Sequence, residues 1–279
     1  MAWPTVLHLC RSERFDLALG RLQTKFVARG GVFAKSLDRN DSHNARVNWT
    51  DGAHGTLRAR NGWVGHLILQ HNSACGPSNI RRGFEDDDSR VTGFVALENV
   101  TPKGVLVQRG IDISYLPKSL LKDGDQSGRI EDYWGLVARA AVRWPQRAEG
   151  RRLRFSAELG YAPETPTESA VDLGSGDGDV DGVAVTLTAS VMDYLPNHSL
   201  GLNFGRLDAG WLLSPQYREN EALDEIRYQW RRSRQLAFDL RARWRKELDQ
   251  LTTAARTRED FDIFLRLTWG FTSRRLLGA

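Results

Sequence analysis

The residues best placed to do chemistry in this chain are arginines at regular spacing. Arg241, Arg243 and Arg245 follow one another two apart, as do Arg58 and Arg60, and Arg152 and Arg154. Arg139 and Arg143, and Arg227 and Arg231, are four apart. In an extended chain alternate side chains share a face. Each series therefore presents a column of permanent cations, each with five N–H donors that suit carboxylate and phosphate oxygens. That is the chemistry of holding and steering anions rather than of making bonds.

Other constellations carry less. Asp177-Gly-Asp-Val-Asp-Gly182 matches the first half of a calcium loop. The carboxylate expected at its twelfth position falls on Thr188, so it reads as a solvated acidic loop, as does Glu85 to Asp88. Asp41, Ser42 and His43 have the composition of a hydrolytic triad, but adjacent side chains on a strand alternate and cannot form the relay. The six His include no H-x-x-x-H pair and no Cys partners, and Cys10 and Cys75 form no metal pattern, so no metal site is expected. No phosphate-binding glycine loop or dinucleotide fingerprint occurs. No catalytic residue and no cofactor is expected.

The elements that must position the arginines are strands. Asp260 to Phe271 places Phe261, Ile263, Leu265, Leu267, Trp269 and Phe271 on one face. Gln235 to Lys246 sets Leu236, Phe238, Leu240, Ala242 and Trp244 against Asp239, Arg241, Arg243 and Arg245. Arg151 to Tyr161, Tyr133 to Trp144 and Gly104 to Tyr115 alternate in the same way. Weaker runs are Phe15 to Phe26, Leu57 to Gln70, Val91 to Glu98, Val183 to Tyr194, Leu200 to Leu207 and Ile226 to Arg232, with Trp3 to Leu9 as a further candidate. The total is about a dozen strands. From Ser73 onward tight turns alternate with long polar connections, as in an up-and-down barrel.

Composition narrows the class. Of 279 residues 41% are hydrophobic, mean hydropathy is −0.46 and no apolar run is long enough for a membrane helix. The 39 basic residues are almost all Arg, net charge is +4 and the pI is about 9.2, which permits nucleic-acid binding. The Arg are spread over many strands rather than clustered, so no nucleic-acid partner is expected. A soluble all-β ligand or nucleic-acid binder stays open as an alternative, with an outer-membrane hydrolase behind it. Strand length favours a membrane barrel: several runs alternate for about eleven residues, enough to cross a bilayer at a tilt. Trp134 and Trp144 lie ten residues apart on one apolar face, as do Phe261 and Phe271, and with Trp269 they form an expected pair of aromatic girdles.

Met192 to Arg206 with Ala209 to Arg218, Ile226 to Trp230, Asp41 to Gly52 and the closing Asp260 to Phe271 together resemble bacterial outer-membrane porins related to the phosphate-selective (O and P) group. The resemblance implies an all-β, antiparallel up-and-down transmembrane barrel. About 12 strands are present, as part of a barrel of about 16. It further implies passive diffusion of small solutes, anions such as phosphate among them, in the outer membrane of a Gram-negative bacterium. Lipid and lipopolysaccharide would surround the barrel, and a homotrimer is the porin habit. Residues 1–271 would be the barrel domain and 272–279 a short tail. The N-terminus has no signal-peptide pattern, which is read as an N-terminally truncated chain. The arginines named above, Arg58 to Arg245, would line the channel. Arg39, Asp41, His43 and Arg46 would narrow it if their segment folds inward, although an ordinary outer loop is slightly favoured.

Overall fold

A computed structural model describes residues 6–22, 31–33, 35–38, 50–71, 91–122, 130–147, 149–214, 216–233 and 235–270. They form thirteen strands in one sheet, each hydrogen-bonded antiparallel to the next in chain order. The strands are β1 (Val6–Arg11), β2 (Phe15–Leu22), β3 (Thr50–Arg58), β4 (Trp63–His71), β5 (Val91–Asn99), β6 (Leu106–Leu121) and β7 (Ile130–Trp144). They continue with β8 (Arg152–Tyr161), β9 (Val183–Leu195), β10 (His198–Leu207), β11 (Glu221–Arg231), β12 (Leu236–Glu247) and β13 (Glu259–Trp269). Among the described residues β1 and β13 are not paired with each other, so the sheet is open at both edges.

The strands expected from alternation are present, with two differences. Leu57 to Gln70 is not one strand: β3 and β4 meet at a turn at residues 59–62, where Gly62 has φ +82°. Asn61-Gly62 is the hairpin signal in that run, since only glycine takes such a φ without steric cost. β6 runs 16 residues, past the expected Tyr115, because the register slips between Leu116 and Leu120 and pairing then resumes. The slip is a bulge that adds residues to one strand only.

Connections alternate along the whole chain. Residues 12–14, 59–62, 100–105, 145–151, 196–197 and 232–235 turn at one end of the sheet. At the other end the strand ends of β2 and β3, β4 and β5, β6 and β7, β8 and β9, β10 and β11, and β12 and β13 stand side by side, joined in sequence by longer connections.

Period-two alternation gives the sheet two faces, and their polarity is inverted relative to a water-soluble sandwich. Leu240 is 43%, Leu265 68% and Leu136 37% exposed, whereas Arg139 is 4%, Asp112 1% and Glu158 1% exposed. Buried Thr56, Thr92, Gln108, Ser114, Ser156, Thr186, Thr188, Ser190 and Asn203 share the inner face with the ions. Ile111, Ile113, Leu159, Leu187, Leu202 and Ile226 stand on the outer face. The sheet curls with its polar side inward. A sandwich places apolar residues inside because water is the outer solvent. Here the apolar face is the one that needs an apolar solvent.

Aromatic rings on the outer face gather at two levels. Tyr115, Trp134, Tyr161, Trp244 and Phe261 lie toward the long connections, and Trp144, Trp230, Phe238 and Trp269 toward the short turns. Tyr115 stacks on Trp134 at 4.3 Å, and Trp230 lies between His198 at 5.4 Å and Phe238 at 5.1 Å. Trp134, Trp144, Phe261 and Trp269 are thus on the exposed apolar face. Phe271 lies outside the described residues.

Candidate functional site

The inner face is the candidate site, and strand pairing assembles it. Glu225 faces Arg243 and Arg227 faces Arg241 across β11 and β12. Arg243 faces Asp262, and Arg241 faces Phe264, across β12 and β13. On the other side Arg139 faces Glu158 across β7 and β8. Gly110 is its partner on β6, so Asp112 is a diagonal neighbour on the same face.

Carboxylates meet most of these arginines. Arg245 Nη1 lies 2.6 Å from Glu221, Arg243 Nη2 2.9 Å from Asp262, and Arg152 Nη1 2.9 Å from Asp193. Arg227 forms a bidentate pair with Asp239, and Arg58 lies 3.9 Å from Asp16. Arg139 is the most enclosed: Asp112 is in direct contact, Asp38 lies at 3.2 Å and Glu158 at 3.8 Å. Arg241 has no carboxylate in ion-pair range among the described residues, and its guanidinium lies 4.9 Å from the centre of the Phe264 ring.

Both signs occur at both ends of the strands, in unequal numbers. Toward the short turns stand Arg58, Arg143, Arg152, Arg154, Arg231 and Arg266, with Asp16, Glu98, Asp193 and Asp239 among them. Toward the long connections stand Glu131, Glu221, Glu247, Asp260 and Asp262, with Arg243 and Arg245 among them. Sequence reading of the clearest strands found a positive wall; Asp112, Glu221, Glu225, Glu247, Asp260 and Asp262 add negative charge on the same face. Of the expected lining residues, Arg60 is in the turn between β3 and β4, and Arg231 is exposed at the end of β11. The other nine are on the inner face.

Two connecting segments fold into this space. Residues 31–33 and 35–38, between β2 and β3, reach across to β7–β11. Lys35 Nζ lies 2.6 Å from Glu225, Leu37 N donates to Glu158 at 2.7 Å, Ser36 N donates to Gln216 at 2.8 Å and Arg227 donates to Val32 O at 3.0 Å. Burial lowers the Lys35 ammonium to about 8, while Glu225 pulls it the other way. Arg39, Asp41, His43 and Arg46 lie outside the described residues, as do Ser42 and the acidic run Glu85 to Asp88. The stretch immediately before them is inside.

The second segment opens the connection between β10 and β11, one of the connections that sequence marks as long and polar. Its apolar run Trp211-Leu-Leu213 is buried with Tyr217, Leu37, Tyr133, Val137 and Leu223. Trp211 Nε1 donates to Leu37 O at 2.8 Å, and Tyr133 Oη accepts from Leu212 N at 2.9 Å. Gly135, Gly160 and Gly205 make room. A Cβ at Gly160 would stand 2.8 Å from the Trp211 ring, and Cβ atoms at Gly135 and Gly205 would collide with Leu213 and Tyr217. Each fully buried large side chain here is worth about 1.5–3 kcal/mol. The signal in the sequence is the apolar run Trp211-Leu-Leu213 inside a loop, together with glycines on the polar face of strands.

Asp177, Asp179 and Asp181 are among the described residues, and Asp179 is taken by Lys122 at 2.6 Å. That loop is tied across the long-connection end. Asp172 accepts from the hydroxyls of Thr252 and Thr253, and Thr252 N donates to Asp172 O at 2.7 Å. The two hydroxyls hold the Asp172 carboxyl below the usual carboxylate range.

No protein-family profile matches the chain, and no curated protein matches it in sequence. Solved structures match its fold. Pseudomonas aeruginosa OpdQ superposes with a TM-score of 0.63 at 13% identity, over 95% of this chain and 71% of that one. P. aeruginosa OpdL gives 0.60 at 16%, over 95% and 71%. A BenF-like porin from Pseudomonas fluorescens Pf-5 gives 0.61 at 11%, over 95% and 67%. The fold of this chain is that of these structures. They do not support the resemblance to the phosphate-selective group.

Proposed function

We propose that the chain forms the wall of an outer-membrane diffusion channel of the porin type in a Gram-negative bacterium. The observation that carries the reading is the inverted sheet, with leucines and tryptophans outside and ion pairs inside. In lipid every backbone group must be satisfied internally and the outer face must be apolar, and an antiparallel sheet meets the second demand only with this polarity. A soluble ligand or nucleic-acid binder would have to leave Leu240, Leu265 and their neighbours in water, as one continuous patch.

A bilayer admits no open edge. The edges of β1 and β13 must therefore be covered in the membrane. In this reading the long connections face outward from the cell, lipid and lipopolysaccharide surround the wall, and a trimer is the expected assembly. Small solutes pass by diffusion, without a cofactor or a chemical step.

Arg241 at mid-strand and the excess of arginines over carboxylates near the short turns favour anions, while the excess of carboxylates at the opposite mouth offsets them. Anion preference is therefore modest and local rather than a property of a wholly positive lumen. Planar-bilayer recording of the folded protein tests the reading. Discrete conductance steps with a reversal potential shifted toward the chloride potential are expected, and a protein that stays in the aqueous fraction and never conducts would overturn it.

A further inference from the structure

Strand register brings two imidazoles together that sequence spacing keeps apart. Thr56 of β3 faces His66 of β4, which places His54 one pleat away on the same inner face. His54 Nε2 lies 3.0 Å from His66 Nδ1, and Thr56 Oγ1 lies 3.3 Å and 3.5 Å from the two nitrogens. On the far side of the His66 ring, Nε2 is 3.8 Å from Glu98 Oε1 on β5. Arg58, the next inward residue after Thr56, is offset by Asp16 at 3.9 Å.

Two nitrogens bound to one ion at about 2.0–2.1 Å stand about 2.9 Å apart at a right angle and about 3.3 Å apart at a tetrahedral angle. The observed 3.0 Å lies within that span, so both nitrogens reach one ion once the rings turn their lone pairs toward it. Glu98, at 3.8 Å from Nε2, is beyond hydrogen-bond range and acts on that side of the ring through its charge alone. A negative charge there favours the proton on Nε2 and leaves the Nδ1 lone pair for the metal. The alternative is a plain imidazole–imidazole hydrogen bond, with one ring donating to the other.

We propose that His54 and His66 form a binding site for a divalent transition-metal ion on the inner wall, with water completing the coordination. Among divalent ions that accept imidazole, Cu²⁺ binds such a nitrogen pair most strongly, and its square arrangement matches the shorter separation. The site has two protein ligands, so binding is exchangeable rather than structural. It requires only that β3, β4 and β5 be folded, and it holds whether or not the protein conducts.

The test uses the whole chain folded in detergent micelles, treated with chelator and then titrated with CuCl₂. One equivalent should bind with an electron paramagnetic resonance spectrum showing two imidazole nitrogens. His54→Asn and His66→Asn should each weaken binding at least tenfold, and His198→Asn, on the outer face, should leave it unchanged. Unaltered Cu²⁺ affinity in the double variant, or a spectrum without nitrogen coupling, would overturn the proposal and leave the hydrogen bond. Should either variant fail to fold, diethyl pyrocarbonate labelling of the wild type decides. Cu²⁺ should protect His54 and His66 but not His198, and equal labelling with and without the ion would reject the site.

Discussion

Arg139 and Asp38 lie 101 residues apart in sequence and 3.2 Å apart in the fold. Their ion pair joins the segment after β2 to the wall strand β7, so the inward position of residues 31–33 and 35–38 depends in part on one buried guanidinium. Asp112 and Glu158 share that guanidinium. Removing the cation leaves three buried carboxylates facing one another. Breaking a buried ion pair by removing one partner costs about 3–5 kcal/mol. Arg139→Gln should therefore lower the unfolding free energy measured in urea by about 3–5 kcal/mol. Asp38→Asn leaves the other pairs intact and should cost far less, while raising single-channel conductance by loosening the inward segment. Equal stability of Arg139→Gln and wild type would show that the cluster is not what holds the segment.

The inverted sheet makes a prediction from two consecutive residues. Leu240 is on the exposed apolar face and Arg241 on the inner face. Leu240→Arg places a charge among lipid near mid-strand and should cost about 2–4 kcal/mol in a bilayer. Arg241→Leu should fold with a loss well below that. Heat-modifiable gel mobility and reversible unfolding from liposomes report both. A larger loss for Arg241→Leu than for Leu240→Arg would contradict the assignment of faces.

Gly160 receives the Trp211 ring, and any side chain there competes with it. Gly160→Val should displace the 209–217 segment at a cost of about 1–3 kcal/mol, the usual range for overpacking. The displaced segment should also widen the passage, so conductance should rise as stability falls. A variant that loses stability at unchanged conductance would place the segment away from the conducting path.

Much of the fold is legible in the sequence because period-two alternation over some ten residues determines both strand and face. The inner arginines follow from the same pattern, since Leu240 and Leu265 identify the face that Arg241 and Arg266 do not share. Cross-strand partners are not legible. Nothing near Arg139 in sequence points to Asp38, and nothing near His54 points to His66, because register depends on turn lengths such as 59–62 that alternation alone leaves undefined. The apolar segment Trp211 to Leu213 escaped for a different reason. A barrel interior is expected to be polar, and the glycines that admit apolar side chains there look like ordinary strand glycines until the packing is seen.

The tie between the 162–182 and 248–258 connections should depend on pH. Asp172 is held below its ordinary value of 3.8 by the hydroxyls of Thr252 and Thr253. A carboxylate whose folded value is depressed favours the tied state above its unfolded value and stops doing so as pH falls through the folded one. The tie should therefore be intact at neutral pH and loosen only in acid below the usual carboxylate range. Limited proteolysis within 248–258 should accelerate there with an acid-stable protease. Asp172→Asn should be cut faster at neutral pH and lose most of the dependence.

Selectivity separates Arg243 and Arg245, which are ion-paired, from Arg241, which lies over a ring. Arg243 and Arg245 sit against Asp262 and Glu221, so replacing either with Gln exposes a carboxylate as well as removing a cation. Arg241 lies over the Phe264 ring with no carboxylate in ion-pair range among the described residues, so Arg241→Gln removes a cation without breaking an ion pair. Under a KCl gradient all three variants should shift the reversal potential toward potassium. Each variant removes one positive charge: Arg241→Gln turns a positive site neutral, while Arg243→Gln and Arg245→Gln turn a neutral site negative. The shifts should shrink as salt rises, because screening acts over about 10 Å at 0.1 M and about 3 Å at 1 M. Identical reversal potentials for wild type and the triple variant would show that the inner arginines do not govern which ions pass.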